Sequence, residues 1–101
     1  MLAANIITLV NHAEQFSHEE ACRICQEAMG QPSQLVVVDL KCAAAASTAA
    51  FARLILLRRA LLQAGRDLCV CGLHDAVSGL YQINRLQGVL PVQCPNATQG
   101  N

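Results

Sequence analysis

Several sets of side chains in this sequence are of types that do chemistry, and their spacing decides what each can do. Cys22 and Cys25 form a Cys-x-x-Cys pair, and Cys69 and Cys71 a Cys-x-Cys pair. Thiolates at such spacings hold zinc when they sit in turns and a second ligand pair converges on them. Cys22 and Cys25 instead fall inside a helical pattern, and Cys69 and Cys71 alternate along an apolar strand so that both thiols share one face. Cysteine in such places is a small apolar packing residue, so Cys25, Cys69 and Cys71 are expected to face the core and no metal site is expected. His12, His18 and His74 occupy loops or helix starts, without ligand spacing to either pair. Asp39 ends a strand with no second polar group converging on it, which points to ordering of the following loop rather than to acid catalysis. No Gly-rich phosphate loop, nucleophile elbow or paired-carboxylate site is present. The chain therefore reads as non-enzymatic, and no cofactor is implied.

The hydroxyls of Ser47 and Thr48 remain. Ser47 is a good N-cap, with an oxygen able to accept a backbone N–H from the next turn. Capping explains Ser47 completely and leaves Thr48, the first helical residue, unexplained and facing solvent.

The elements that must position these groups are centred on residues 35–73. Leu35 to Val38 is an apolar, β-branched run suited to a strand buried on both faces. Ser47 to Ala64 has helix-forming composition, and Gly65 can take the left-handed conformation that closes a helix. Leu68 to Leu73 is a second buried strand, so the unit is a right-handed βαβ with parallel neighbouring strands. Before it, Asn5 to Val10 is a first strand and Asn11 to Gln15 a loop. Ser17 and Glu20 make a capping box for a helix to about Met29, with Ala21, Ile24, Cys25 and Ala28 as its buried stripe. After it, a helix capped by His74 or Asp75 runs to about Gln87, with Ala76, Leu80, Ile83 and Gln87 on one face. Val89 to Val92 forms a last short strand, and residues 93–101 a loose polar tail. The order is β-α-β-α-β-α, one α/β domain over residues 1–92 with a small, mostly parallel sheet.

Composition narrows the function. Hydrophobic residues make up 53% of the chain and charged residues 14%, which excludes disorder and leaves apolar surface for a partner. With 7 basic and 7 acidic side chains there is no basic excess to hold phosphates, so nucleic acid is not an expected partner. The most apolar window, Ala49 to Ala64, is too short to span a bilayer and contains Arg53, Arg58 and Arg59, so no direct membrane insertion is expected. The start, MLAANIITLV, lacks the basic region of a signal peptide, so the expected compartment is a reducing cytoplasm with free thiols. In that setting the glycosylation pattern Asn96-Ala97-Thr98 carries no meaning.

The long central helix carries the functional signal. At 100° per residue, Ala50, Leu54, Leu57 and Leu61 face the sheet. The opposite side holds Thr48, Ala52, Ile55, Arg59 and Gln63, flanked by Leu56 and Leu62, where a surface helix ordinarily carries charges. Ala52, Ile55, Leu56 and Arg59 are therefore expected to contact a protein partner.

These residues resemble a STAS domain, the module of anti-sigma factor antagonists and of sulphate-transporter tails. The matching pieces are VVVDL, the ST at the central helix start, LLRRALLQAGRDLCVCGL, and LYQINRLQGVLPV. Together they span about Ile6 to Val92, with Asp39, the AGRDL turn and the Leu86 region the more specific parts. The resemblance implies a STAS-like α/β fold, trimmed of the family's first strand and last helix. It also implies a signalling role: binding an anti-sigma factor or serine-kinase-like regulator through the central helix N-terminus. The family's Asp-Ser-(Ser/Thr)-Gly pattern falls on Ser47-Thr48-Ala49-Ala50. Thr48 takes the phosphoacceptor place, Ser47 offers the second hydroxyl in place of the aspartate, and Ala50 replaces the glycine. The alternative it implies is a structural STAS subunit of a membrane transport assembly, using the same face without phosphorylation. Neither reading specifies an oligomeric state.

Overall fold

Three consecutive valines occupy the central strand, β3 (Leu35–Asp39), because it has a strand on each edge and a helical layer over one face. In the computed structural model, which describes residues 5–92, β3 lies between β1 (Ile6–Val10) and β5 (Asp67–Cys71) in a three-stranded parallel sheet. The register sets Leu9 beside Val38 and Val38 beside Val70. Side chains in register share a face. Leu9, Val36, Val38, Leu68 and Val70 accordingly point into one core, where they meet the helices.

Two crossover helices supply that layer. Helix α1 (His18–Gly30) begins at Ser17, whose Oγ accepts the Glu20 N–H at 3.2 Å. Only this half of the expected capping box forms. The Glu20 carboxylate turns to Arg23, accepting from its Nη2 at 2.9 Å. Ala21, Ile24, Cys25 and Ala28 are the buried stripe, as their spacing predicts. Helix α2 (Thr48–Gln63) packs beside α1 and buries Ala50, Phe51, Leu54, Leu57 and Leu61. Its exit is a Schellman motif: Gly65, at φ +78°, donates to Leu62 O at 3.1 Å and Arg66 N donates to Leu61 O at 2.8 Å. The Arg66 side chain then reaches back to the end of α1. It donates to Ser33 O at 2.6 Å, Gln31 O at 2.9 Å and Ala28 O at 3.0 Å. One cation thus satisfies carbonyls at the negative end of α1 and fixes the α1–β3 connection.

Five points differ from the sequence reading. Gln15, expected in a loop, starts a two-residue strand, β2 (Gln15–Phe16), which pairs in parallel with β4 (Ala45–Ala46) as a separate small sheet. The third helix, α3 (Asp75–Ile83), is shorter than expected because Arg85 adopts φ +53° and breaks it; Leu86–Gly88 continue as a 3-10 turn. Its inward residues are Val77 and Tyr81, not Ala76, Ile83 and Gln87, which are exposed. Here the Tyr81 ring sets the phase, packing 6.3 Å from Phe51 while its hydroxyl donates to Leu90 O at 2.5 Å. The last strand reduces to a single parallel bridge between Val92 and Val70. Finally, Cys69 and Cys71 do share a face, but it is the one turned away from the helices. Cys69 is buried there beside Val37, outside the main core, and Cys71 is half-buried. The tail of residues 93–101 and the Asn96-Ala97-Thr98 pattern lie outside the described residues.

Candidate functional site

The start of α2 is held by backbone on both sides of the sequence. Glu14 O accepts from Ala44 N at 2.7 Å and from Ala45 N at 3.2 Å, and Ser47 N donates to Phe16 O at 3.1 Å. This is the work of the small β2–β4 sheet, which ties the entry of α2 to the entry of α1. With the backbone so fixed, Ser47 Oγ accepts the Ala50 N–H at 3.0 Å and caps the helix. Thr48 follows with its side chain exposed, and no acidic residue stands in the first turn. The hydroxyl of Thr48 is thus presented at the positive end of a 16-residue helix.

From Thr48 the outer strip of α2 runs through Ala52, Leu56 and Arg59, all exposed. Leu56 retains 51% of its surface and Leu62 47%. Ile55 differs from the expectation of a solvent-facing residue: it is half-buried and packs against the core.

The reason is a neighbour that the helical pattern alone does not reveal. Thr48, Phe51, Ala52 and Ile55 form one wall of a cavity of about 120 Å³, and Asn84 and Leu86 form the other. The left-handed Arg85 turns the chain so that Leu86 is buried and Asn84 stands at the rim. The Asn84 Nδ2 donates to Leu80 O at 2.9 Å, which closes the end of α3 and leaves Oδ1 as an acceptor. Phe51, in the α2 wall, is fixed by Phe16, edge-on at 5.7 Å, and by the tilted ring of Tyr81. Asn84 and Leu86 were missing from the sequence-based site. The only signal for them was the resemblance around LYQINRLQGVLPV.

The loop that leads from β3 toward this helix is ordered by Asp39. Its Oδ1 accepts the Lys41 N–H at 2.9 Å, and Lys41 Nζ lies 3.5 Å from Oδ2. His74 secures the same loop from the β5 side. Its Nε2 lies 2.8 Å from Lys41 O and its Nδ1 2.9 Å from Asp75 Oδ2. Both partners are acceptors, so the ring fits as the imidazolium, and its pKa is raised by the Asp75 carboxylate and the Lys41 carbonyl.

Among the described residues the thiols do not converge on a metal site. Cys22, Cys25, Cys42 and Cys71 are free, and no group of three His, Cys, Asp or Glu side chains gathers for a metal among the described residues. Burial pushes the Cys69 thiol up to about 11, helped by Cys71 and Asp67. Burial also leaves the Cys25 thiol above its ordinary value, against the pull of the neighbouring Arg53 cation toward the thiolate. Burial thus favours the neutral thiol over the reactive thiolate at both positions. Among the described residues, no helix is long and apolar enough to cross a membrane.

No protein-family model matches the chain, and no curated protein matches it. Its fold does match a solved structure, the crystal structure of a sulfate transporter family protein from Wolinella succinogenes. That match has a TM-score of 0.69, covers 84% of this chain and 70% of the other, and has 11% sequence identity. Identity so low carries the fold alone, and the fold is STAS-like: a small parallel sheet with three helices.

Proposed function

We propose that this STAS-like domain is a non-enzymatic interaction module that binds a protein regulator through the N-terminal part of α2. The observation that carries the reading is the cavity beside Thr48, an apolar depression flanked by the exposed Ala52 and Leu56 on a helix start held rigid by the β2–β4 pairing. Preformed apolar surface of this kind lowers the cost of docking, because little backbone must be ordered on binding. The regulator is of the anti-sigma factor or serine-kinase type, and it works in the cytoplasm. Thr48, with Ser47 as the second hydroxyl, is the modification site that switches binding. Asp39 orders the adjoining loop. The module needs no cofactor and touches neither nucleic acid nor the bilayer.

A second reading is favoured by the structural neighbour, described as a sulfate transporter family protein. In it the domain is a structural subunit of a membrane transport assembly, using the same face with no phosphorylation. Affinity capture from native lysate, with wild-type and Leu56→Asp proteins as baits, tests the shared part. The partner should be held by the wild type and lost with Leu56→Asp. Phosphate on Thr48 of the native protein then favours the switch, and co-purifying membrane components favour the transport subunit. A partner held equally by both baits would remove this face from the function.

A further inference from the structure

We infer that the cavity beside Thr48 is a socket for a single aliphatic side chain carried on an acidic protein segment. The inference rests on the reading of the α2 face as a docking surface and specifies the chemistry of what docks.

Size selects the class of occupant. A cavity of about 120 Å³ is far below the roughly 300–1,000 Å³ of pockets that enclose cofactors and metabolites. It is close to the roughly 150 Å³ of an apolar cavity that admits one benzene. One leucine, isoleucine or methionine side chain fills such a space. Phe51, Ala52, Ile55 and Leu86 offer that side chain an apolar surround. Thr48 and Asn84 are also lining residues, and bring a hydroxyl and a side-chain amide to the rim where the backbone that carries it would pass.

Charge selects the rest of the segment. Helix α2 has Arg53, Arg58 and Arg59 and no acidic residue. On the opposite side, the segment that carries Asn84 and Leu86 has Arg85 between them, and the one carboxylate of α3, Asp75, stands at the helix's other end, paired with His74. The protein is neutral as a whole, so this one-sided distribution means that its carboxylates lie elsewhere, from Glu14 to Glu27 and at Asp39, Asp67 and Asp75. Arg58 is already committed, donating to Asp67 Oδ1 at 2.8 Å and to Val89 O at 3.2 Å. Arg59 and Arg85 are exposed and make no ion pair among the described residues. Arg59 follows Ile55 by one turn on the same face, and Arg85 adjoins Asn84, so an available cation stands on each wall. Carboxylates on either side of an inserted aliphatic residue complement that arrangement, and lysines in those places are repelled.

Selection of a random phage-displayed peptide library on the intact chain tests the inference. Enriched peptides should carry a leucine, isoleucine or methionine flanked by Asp or Glu. Their affinity should fall by roughly tenfold or more with Ala52→Leu, which fills the socket from a solvent-exposed position, and with the pair Arg59→Glu and Arg85→Glu. Circular dichroism and thermal melting of each variant establish that it is folded. Peptides that are basic, peptides lacking the aliphatic residue, or a selection that enriches nothing would overturn the socket. Peptides lost with Leu56→Asp but indifferent to Ala52→Leu would also overturn it, while leaving the wider docking face in place. Peptides indifferent to both variants would remove the socket and the face together. Concentration-dependent dimerisation abolished by Ala52→Leu would instead seat a second copy of this chain in the cavity and overturn the acidic partner.

Discussion

Gly72 passes so close to Asp39 that a Cβ at its position would lie 2.7 Å from Asp39 Oδ1 and equally 2.7 Å from Lys41 N. The backbone there has φ +76°, which side chains with a Cβ seldom adopt. The end of β5 is thereby pressed against the turn that Asp39 makes with Lys41, and the loop toward α2 starts from a fixed point. Gly72→Ala should destabilise the domain by about 2 kcal/mol or more, from the left-handed backbone and the clash together. Denaturant unfolding measures this. Asp39→Ala in the Gly72→Ala background should cost less than Asp39→Ala alone, because part of the clash is gone; additive costs would mean that the two residues do not share the contact.

Arg66→Ala should cost about 2–3 kcal/mol, because three carbonyls and the Ser33 hydroxyl lose a charged donor where Ser33 is buried. Arg66→Lys should recover only part of that loss, since an ammonium cannot span the same fork of acceptors. Full recovery with lysine would mean that charge alone matters at the end of α1. Urea midpoints of the three proteins decide between them.

The His74 contacts make stability depend on pH in a direction that can be worked out. Its folded-state pKa is raised, first by the hydrogen bond to Asp75 and then by Lys41 O. A raised value stabilises the fold fully below the unfolded pKa of about 6.5, and the contribution fades as pH rises through the folded value. Wild type should therefore exceed His74→Gln in urea midpoint at about pH 5.5 and approach it at about pH 8.5. A gap that widens toward alkaline pH would mean that the neutral ring is the form held between Lys41 and Asp75.

Leu54 is fully buried and Leu56 half-exposed, so the two separate the faces of α2. Leu54→Ala should cost roughly 2–5 kcal/mol, while Leu56→Asp should leave the melting temperature nearly unchanged. Ile55→Asp is a poorer probe than the sequence suggested, because Ile55 packs against the core beside the cavity.

The parts of the fold that could be read from the chain are those fixed by local chemistry. Valines 36 and 38, the Ser17 and Ser47 caps and Gly65 each dictate their own backbone, and together they give the strand–helix–strand order and the inward face of α2. The β2–β4 sheet left no such mark. Two residues per strand show no period, and their pairing depends on Glu14 O meeting the Ala44 and Ala45 amides far along the chain. The opposite wall of the cavity was hidden for a related reason. Arg85 is a non-glycine residue at positive φ, so the break after α3 has no signal in residue type, and without that break Leu86 continues a helical face. The alternation of Cys69 and Cys71 put them on one face without saying which face the helices cover, since that depends on both crossovers lying on the same side.

Thr48 and Ser47 are adjacent hydroxyls with different work, and substitution should separate them. Ser47 Oγ is occupied by the Ala50 N–H, so Ser47→Ala should cost about 1 kcal/mol in stability through the lost cap, with little direct effect on binding. Thr48 is exposed and lines the cavity, so its substitutions should act on binding and leave stability nearly unchanged. A phosphate on Thr48 brings about −1.5 to −2 charge to a helix N-terminus whose free N–H groups can hold it, so the modified domain should stay folded. The same charge stands at an apolar contact whose partner is itself inferred to be acidic, so it opposes docking through both desolvation and repulsion. Thr48→Glu should therefore bind the captured regulator more weakly than Thr48→Ala at a similar melting temperature. Calorimetric titration of the two variants measures the difference, and raised salt should narrow it as the repulsive part is screened. Equal affinities, with no phosphate found on either hydroxyl of the native protein, would leave the α2 face as a constitutive docking surface and remove the switch.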